Sequence, residues 1–408
     1  MKWIDTTVGD YCPFIYGKGL PQNKRIQGEF PVYGSNGIVD SHSESLIQTP
    51  GIIIGRKGSC GAVNISTGAF WPIDTTFYVT KDSLHELYFT YYLLKTLGLE
   101  TMNSDSAVPG LNRDNAHNVR IRIPEKKEDR EKLGYKLFVF DNKIANNTAM
   151  NQTLEKIAQR IFKSWFIDFD PVKANAEGVP FNGLSPEIQA LFPSEFEESE
   201  LGMIPCNWSP VKISQIIDIN PSYKLLKGSE PYYIDMKALP IDSMSINDLV
   251  RREFKSGTKF KNGDTLMARI TPCLENGKTG LVAHIPNDEV AWGSTEFIVM
   301  SPRTEKYKEF VYLLARNSEL RAFAIKSMTG TSGRQRVSGE QVGSYLVVNI
   351  PDDIIAAFNQ VVAPLFEKVS QNTLMSKSLE NIRDKLLPRL MTGQISLSKA
   401  NQELKETV

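Results

Sequence analysis

The sequence predicts an α+β protein built from two similar halves, each a region of mixed strands and short helices followed by one long amphipathic helix. Three observations carry this. A set of motifs recurs in chain order, short apolar runs alternate with Gly, Pro, Ser and Asn, and one heptad seam occurs twice. At roughly 150 residues per domain, a chain of 408 is also long enough for two or three domains.

The repeat begins with Trp3 and Val8, matched by Trp208 and Ile213 at an offset of 205. Thr75-x-Phe77-x-Val79 then matches Thr295-x-Phe297-x-Val299, and Tyr92-Leu93-Leu94 matches Tyr312-Leu313-Leu314, both at 220. Asn147-Thr148-Ala149-Met150 with Leu154-Glu155-x-Ile157 recurs at 225 as Asn372-Thr373-Leu374-Met375 with Leu379-Glu380-x-Ile382. The offsets grow along the chain, as expected for a duplication whose second copy has longer loops.

The first region of each half spans 1–124 and 208–351. Gly51–Gly55, Phe77–Val79, Glu296–Met300 and Leu346–Val348 read as strands, because each is a short apolar run bounded by turn residues. One helix is expected in each region, at Leu84 to Leu97 and at Tyr307 to Ser327. Each region closes on a strand-like run ending in proline, Ile121–Pro124 and Val348–Pro351.

Helical spacers are expected at 125–167 and 352–396, before a tail at 397–408. In the first, Leu133, Leu137, Phe140, Ile144, Asn147, Asn151, Leu154, Ala158, Ile161 and Trp165 alternate steps of four and three. Adding 225 gives Phe358, Val362, Leu365, Val369, Asn372, Ser376, Leu379, Arg383, Leu386 and Leu390, one seam in one register. A single such stripe is compatible with an ordinary core helix. Two equivalent ones beside two similar domains favour a coiled coil, with Leu137, Ile144, Leu154, Ile161, Val362, Val369, Leu379 and Leu386 in the seam. Asn147 and Asn372 interrupt it, either to set register or because both face solvent on a drifting stripe.

The formal charge is zero, 47 basic against 47 acidic residues, which argues against a polybasic nucleic-acid binder. The zero is a cancellation. Residues 168–205 hold one base and eight acids, net −7, so the other 370 carry 46 bases and 39 acids, net +7. With five prolines, segment 168–207 reads as a surface connector and neither helix nor strand. The four cysteines are scattered, no apolar h-region opens the chain, and no apolar run could span a membrane. A chain without signal peptide, disulfides or zinc, located in the cytoplasm, is expected.

No catalytic set is legible. Asn276-Gly277-Lys278-Thr279 resembles the end of a phosphate-binding loop, but Pro272 stands where that loop needs its first glycine. Asn220-Pro221-Ser222-Tyr223 departs from the adenine-methyltransferase N-P-P-Y/F motif at its third residue. The four histidines have no zinc-binding spacing, and no metal site is expected.

Loops after strands carry the residue types that read DNA. Tyr33, Ser35 and Asn36, then Arg56 and Lys57, then Asn112 and Arg113 are the candidates in the first region. Arg251, Arg252, Arg269, Thr271, Asn276, Lys278, Arg334, Gln335 and Arg336 are those in the second. Arginine can pair bidentately with guanine and Asn or Gln with adenine, while Lys and hydroxyls hold phosphates. Region 208–351 is +4 (19 bases, 15 acids) and region 1–124 is neutral (11 and 11), so charge supports only the second.

These features together resemble the specificity subunit of type I restriction-modification enzymes. The resemblance rests on Phe30-Pro31-Val32-Tyr33-Gly34-Ser35-Asn36-Gly37-Ile38, Ile54-Gly55-Arg56-Lys57-Gly58-Ser59-Cys60-Gly61 and Ala107-Val108-Pro109-Gly110-Leu111-Asn112-Arg113. In the second half it rests on Ile234-Asp235-Met236-Lys237-Ala238-Leu239, on the run from Ala268 to Lys278 and on the run from Lys385 to Ile395. It covers essentially the whole chain.

The resemblance implies two target recognition domains, each reading half of a split double-stranded DNA site, joined by helices that pair antiparallel. It further implies two methyltransferase (modification) subunits and ATP-dependent restriction subunits as partners. S-adenosylmethionine, ATP and Mg are expected there, and no cofactor or catalysis in this chain. Because the first domain starts at Trp3, closure of the two halves through an N-terminal extension is expected to be minimal. The dissimilarity of the two domains implies an asymmetric target. A seam of 34 residues is roughly 50 Å of helix, enough to hold two readers about one DNA turn apart. The competing expectation is a scaffold that binds no DNA, with two ligand-binding modules on a coiled-coil spacer.

Overall fold

The computed structural model describes residues 1–102, 110–247, 249–331, 333–396 and 399. The chain divides into two compact units, residues 1–145 with 376–408, and residues 146–375. Ala107, Val108, Pro109, Ser332 and most of the 397–408 tail lie outside the described residues.

In the first unit, Trp3–Thr7 pairs antiparallel with Arg120–Pro124, Trp3 opposite Pro124, so the start and end of region 1–124 are tied together. An antiparallel four-stranded sheet runs in the order Ile15–Tyr16, Thr76–Thr80, Gly51–Gly55, Val63–Ser66. Its strand Gly51–Gly55 is buried throughout, which is why an unbroken Ile52-Ile53-Ile54 run belongs there. A smaller sheet orders Gly37–His42, Phe30–Gly34 and Trp71–Pro72. The helix Leu84–Thr96 starts on Ser83, whose hydroxyl accepts from Glu86 N. Its Leu87, Phe89 and Leu93 share a core with Ile52, Ile54, Phe77, Leu133, Leu137, Leu386 and Leu390.

The second unit repeats the plan. Ser209–Lys212 pairs with Leu346–Asn349, and a four-stranded sheet runs Ile217–Ile219, Phe297–Pro302, Thr265–Ala268, Thr279–Leu281. A second four-stranded sheet orders Val250–Arg251, Tyr232–Ile234, Ala291–Gly293 and Thr258–Phe260. The single helix expected at Tyr307 to Ser327 is two, Lys308–Arg316 and Ser318–Lys326. Asn317 takes an extended conformation between them (φ −63°, ψ 134°), and its side chain caps the second helix by accepting from Glu319 N and Leu320 N.

Segment 168–207 holds both helix and strand, where its composition predicted neither. It contains the helix Asp170–Glu177, with proline in its first turn and Gly178 as a left-handed cap, and the hairpin Phe196–Ser199/Gly202–Pro205. Asn175 Nδ2 donates to Gln189 O (3.0 Å) and Phe192 O (2.8 Å), joining the pieces without a sheet. Val172, Phe192 and Ile204 are buried in the same core as Trp165 and Trp208. The acidic composition masked these few apolar anchors, because charges counted along a segment do not say which positions face outward.

The long helices run Lys127–Phe166 and Asp352–Met391, 40 residues each. Within the first unit, Arg383 Nη1 donates to Asp141 Oδ1 at 2.7 Å. Within the second, Asn147 Nδ2 donates to Asn372 O (3.4 Å), Asn372 Nδ2 donates to Asn151 Oδ1 (2.9 Å), and the Phe162, Trp165 and Phe166 rings pack on Phe358. Rising numbers on one helix meet falling numbers on the other, so the facing stretches of the second unit are antiparallel. Leu137, Val362, Val369 and Leu386 are buried, and Ile144, Leu154, Ile161 and Leu379 are half-buried. Asn147 and Asn372 are 1% and 2% exposed, which removes the solvent-facing alternative.

Candidate nucleic-acid interface

In the first unit, Arg56 directly follows the buried strand Gly51–Gly55. Gly55 is required at that corner, because a Cβ there would sit 2.0 Å from Ser59 O. The backbone of Arg56 is fixed twice, its N–H donating to Thr75 O (2.9 Å) and its carbonyl accepting from Leu111 N (2.9 Å). Lys57 pairs with Gly110 in an isolated bridge. The fold thereby brings Arg56 and Lys57 beside Asn112 and Arg113, more than fifty residues away in sequence.

The second unit uses the same device. Arg269 follows the buried strand Thr265–Ala268; its N–H donates to Glu296 O (3.0 Å) and its carbonyl accepts from Val337 N (3.0 Å). Thr271 N donates to Gln335 O (3.1 Å), so Arg269, Thr271, Gln335 and Arg336 form one cluster. Asn112 and Ser338, each just after the clamping residue, both N-cap a short helix. Asn112 Oδ1 accepts from Asp114 N (2.9 Å) and Asn115 N (3.1 Å), so that oxygen is committed to the helix start.

The other candidates separate by what their side chains already touch. Tyr33 is buried, with its ring edge-on to Phe70 and its hydroxyl donating to Ile65 O at 3.4 Å, and burial raises its pKa; it is a core aromatic. Ser35 donates to Thr75 O (2.7 Å), while Asn36 is exposed at the tip of the turn. Arg336 grips Glu296 with Nε and Nη2, which pushes its pKa up, and Arg251 holds Glu289 at 2.9 and 3.1 Å. Lys278 Nζ donates to Met236 O at 2.8 Å, and Asn276 is exposed in its turn. Arg252 lies over the Tyr233 ring (4.8 Å) and carries no carboxylate partner among the described residues. Arg334 is exposed. Arg269 Nε and Thr271 Oγ1 are buried atoms without a hydrogen-bond partner among the described residues, an arrangement that costs free energy unless a ligand or water completes it.

Sequence reasoning missed Tyr16. It sits on a two-residue strand at the sheet edge, 48% exposed, with Arg56 and Arg113 near its ring. So short a strand leaves no period-two signal to read. It also missed Glu296, whose pairing with Arg336 joins residues 40 positions apart.

Among the described residues no group of three His, Cys, Asp or Glu side chains could hold a metal ion, and no helix is long and apolar enough to cross a membrane.

Residues 1–156 match the family described as the type I restriction modification DNA specificity domain. The chain is 29% identical over 330 residues to the type I restriction enzyme MjaIX specificity subunit of Methanocaldococcus jannaschii, covering 79% of this chain and 72% of that protein. It is 25% identical over 334 residues to the type I restriction enzyme HindI specificity subunit of Haemophilus influenzae, covering 70% and 71%. In fold it is similar to the type I restriction-modification S subunit from M. genitalium, with a TM-score of 0.60 at 16% identity over 96% of both chains. In residues 1–156 the chain is thus similar to the type I restriction modification DNA specificity domain, over most of its length to specificity subunits of type I restriction enzymes, and in fold to an S subunit.

Proposed function

We propose that the chain recognises an asymmetric, bipartite double-stranded DNA target and positions methyltransferase and restriction subunits on it. The observation that carries this is the repeated clamp, Leu111 N on Arg56 O in one unit and Val337 N on Arg269 O in the other. One backbone device presents two different sets of side chains, which is what two readers of different half-sites require. In the second unit the DNA-facing candidates are Arg269, Thr271, Arg334 and Gln335, with Arg336 oriented by Glu296. S-adenosylmethionine, ATP and Mg belong to the partner subunits in this reading.

The test is to replace residues 1–124 with the recognition domain of another such subunit, express the chimera with its modification subunits and map methylated adenines. One half-site changes and the other stays. A change in both, or in neither, refutes the division of labour, and absence of DNA binding by the wild-type complex favours a scaffold.

A further inference from the structure

We propose that Tyr16, with Arg56 and Arg113, is the DNA-contacting surface of the first unit; this rests on the reading above. Region 1–124 is neutral overall, so its grip on a polyanion must come from how charge is placed. The Arg56 and Arg113 guanidinium carbons lie 5.3 and 5.0 Å from the centre of the Tyr16 ring. Phe77, opposite Tyr16 in the sheet, backs that ring at 5.0 Å.

What these arginines touch sets them apart. Arg25, Arg130 and Arg383 of the same unit end on carboxylates at 3.1, 2.8 and 2.7 Å, which neutralise them. Arg56 instead donates Nε and Nη2 to the Asp74 carbonyl oxygen (3.1 and 2.9 Å), which orients its guanidinium and leaves its charge in place. Among the described residues the one carboxylate near Arg113 is that of Asp114, at 3.7 Å, and the Asp114 side chain is 80% exposed. Lys57 is exposed beside them. The Leu111–Arg56 hydrogen bond ties the backbone of Arg56 beside that of Asn112 and Arg113. A ring with two oriented cations suits duplex DNA, whose sugars and base edges meet the ring while phosphate oxygens or guanine O6 and N7 accept from the guanidiniums.

The experiment uses the full chain in complex with its modification subunits and a duplex carrying its mapped target, read by fluorescence anisotropy across salt, with thermal melting alongside. Tyr16→Ala and Arg113→Gln are each expected to weaken binding about tenfold or more at unchanged melting temperature. Arg113→Gln then either lowers the salt slope by about one, marking a phosphate contact, or tolerates changes in the first half-site, marking a base contact. Both variants binding with unchanged affinity and selectivity overturns the proposal, and so does weakening that only follows a fall in melting temperature. Failure of the wild-type complex to bind its duplex overturns the DNA reading itself.

Discussion

At the scale of single residues, two equivalent tyrosines do the same work with different partners. Tyr92 and Tyr312, 220 positions apart, are both buried and both donate to a carboxylate on the first long helix, Asp141 and Glu155 respectively. In the first unit the carboxylate is balanced by Arg383, in the second by Arg316, whose side chain is 7% exposed against 5% for Glu155. Burial raises the pKa of each phenol, so both stay protonated donors. Removing the acid strands a buried cation. Glu155→Ala is therefore expected to cost about 3–5 kcal/mol of stability, measured by chemical denaturation. A loss under about 1 kcal/mol, the scale of an exposed pair, would show that the triad contributes little.

At the scale of elements, the long helices are specified in two ways, by apolar burial and by close approach. Gly134 lies where the first long helix touches the helix Leu84–Thr96, and a Cβ there would meet His85 O at 1.7 Å. Because that contact is backbone, no rotamer change relieves it, and Gly134→Ala is expected to cost about 1–3 kcal/mol and lower the melting temperature by several degrees. An unchanged melting temperature would contradict the packing. The asparagine layer acts differently. Asn147, Asn151 and Asn372 hydrogen-bond one another's side chains or backbone inside an apolar seam, and such a layer fixes register more than it adds stability. The seam was legible because helical periodicity survives in one dimension. The break at Asn317 was not, because an asparagine cap looks the same as an exposed helical asparagine until the chain turns.

At the scale of the whole molecule, charge is the governing quantity. A +7 excess over 370 residues is modest, and many arginines are spent on internal carboxylates. The chain without partners is expected to bind duplex DNA only in the micromolar range or weaker near 0.15 M salt, with affinity falling steeply as salt rises. Adding modification subunits should tighten binding by about tenfold or more. Anisotropy titrations with and without those subunits check this. Tight, salt-resistant binding by the chain alone would place the phosphate grip within it.

The sequence by itself brought out the repeated motifs, the two long helices and the most apolar strands, such as Gly51–Gly55 and Leu346–Asn349, because offsets, apolar runs and a period of seven are properties of residue order. It also brought out the residues that follow the buried strands, Arg56 and Arg269. Only the tertiary structure decided which of the candidates are free to meet a ligand. Tyr33 turned inward, Arg251 and Arg336 found carboxylates, Asn112 became a helix cap, and Tyr16 came to lie between two arginines. The same holds for segment 168–207, where a few buried apolar side chains outweigh an acidic composition. The physical reason is common to all of them. A side chain's availability is set by hydrogen-bonding partners and burial contributed from distant parts of the chain, and those distances do not exist until the chain has folded.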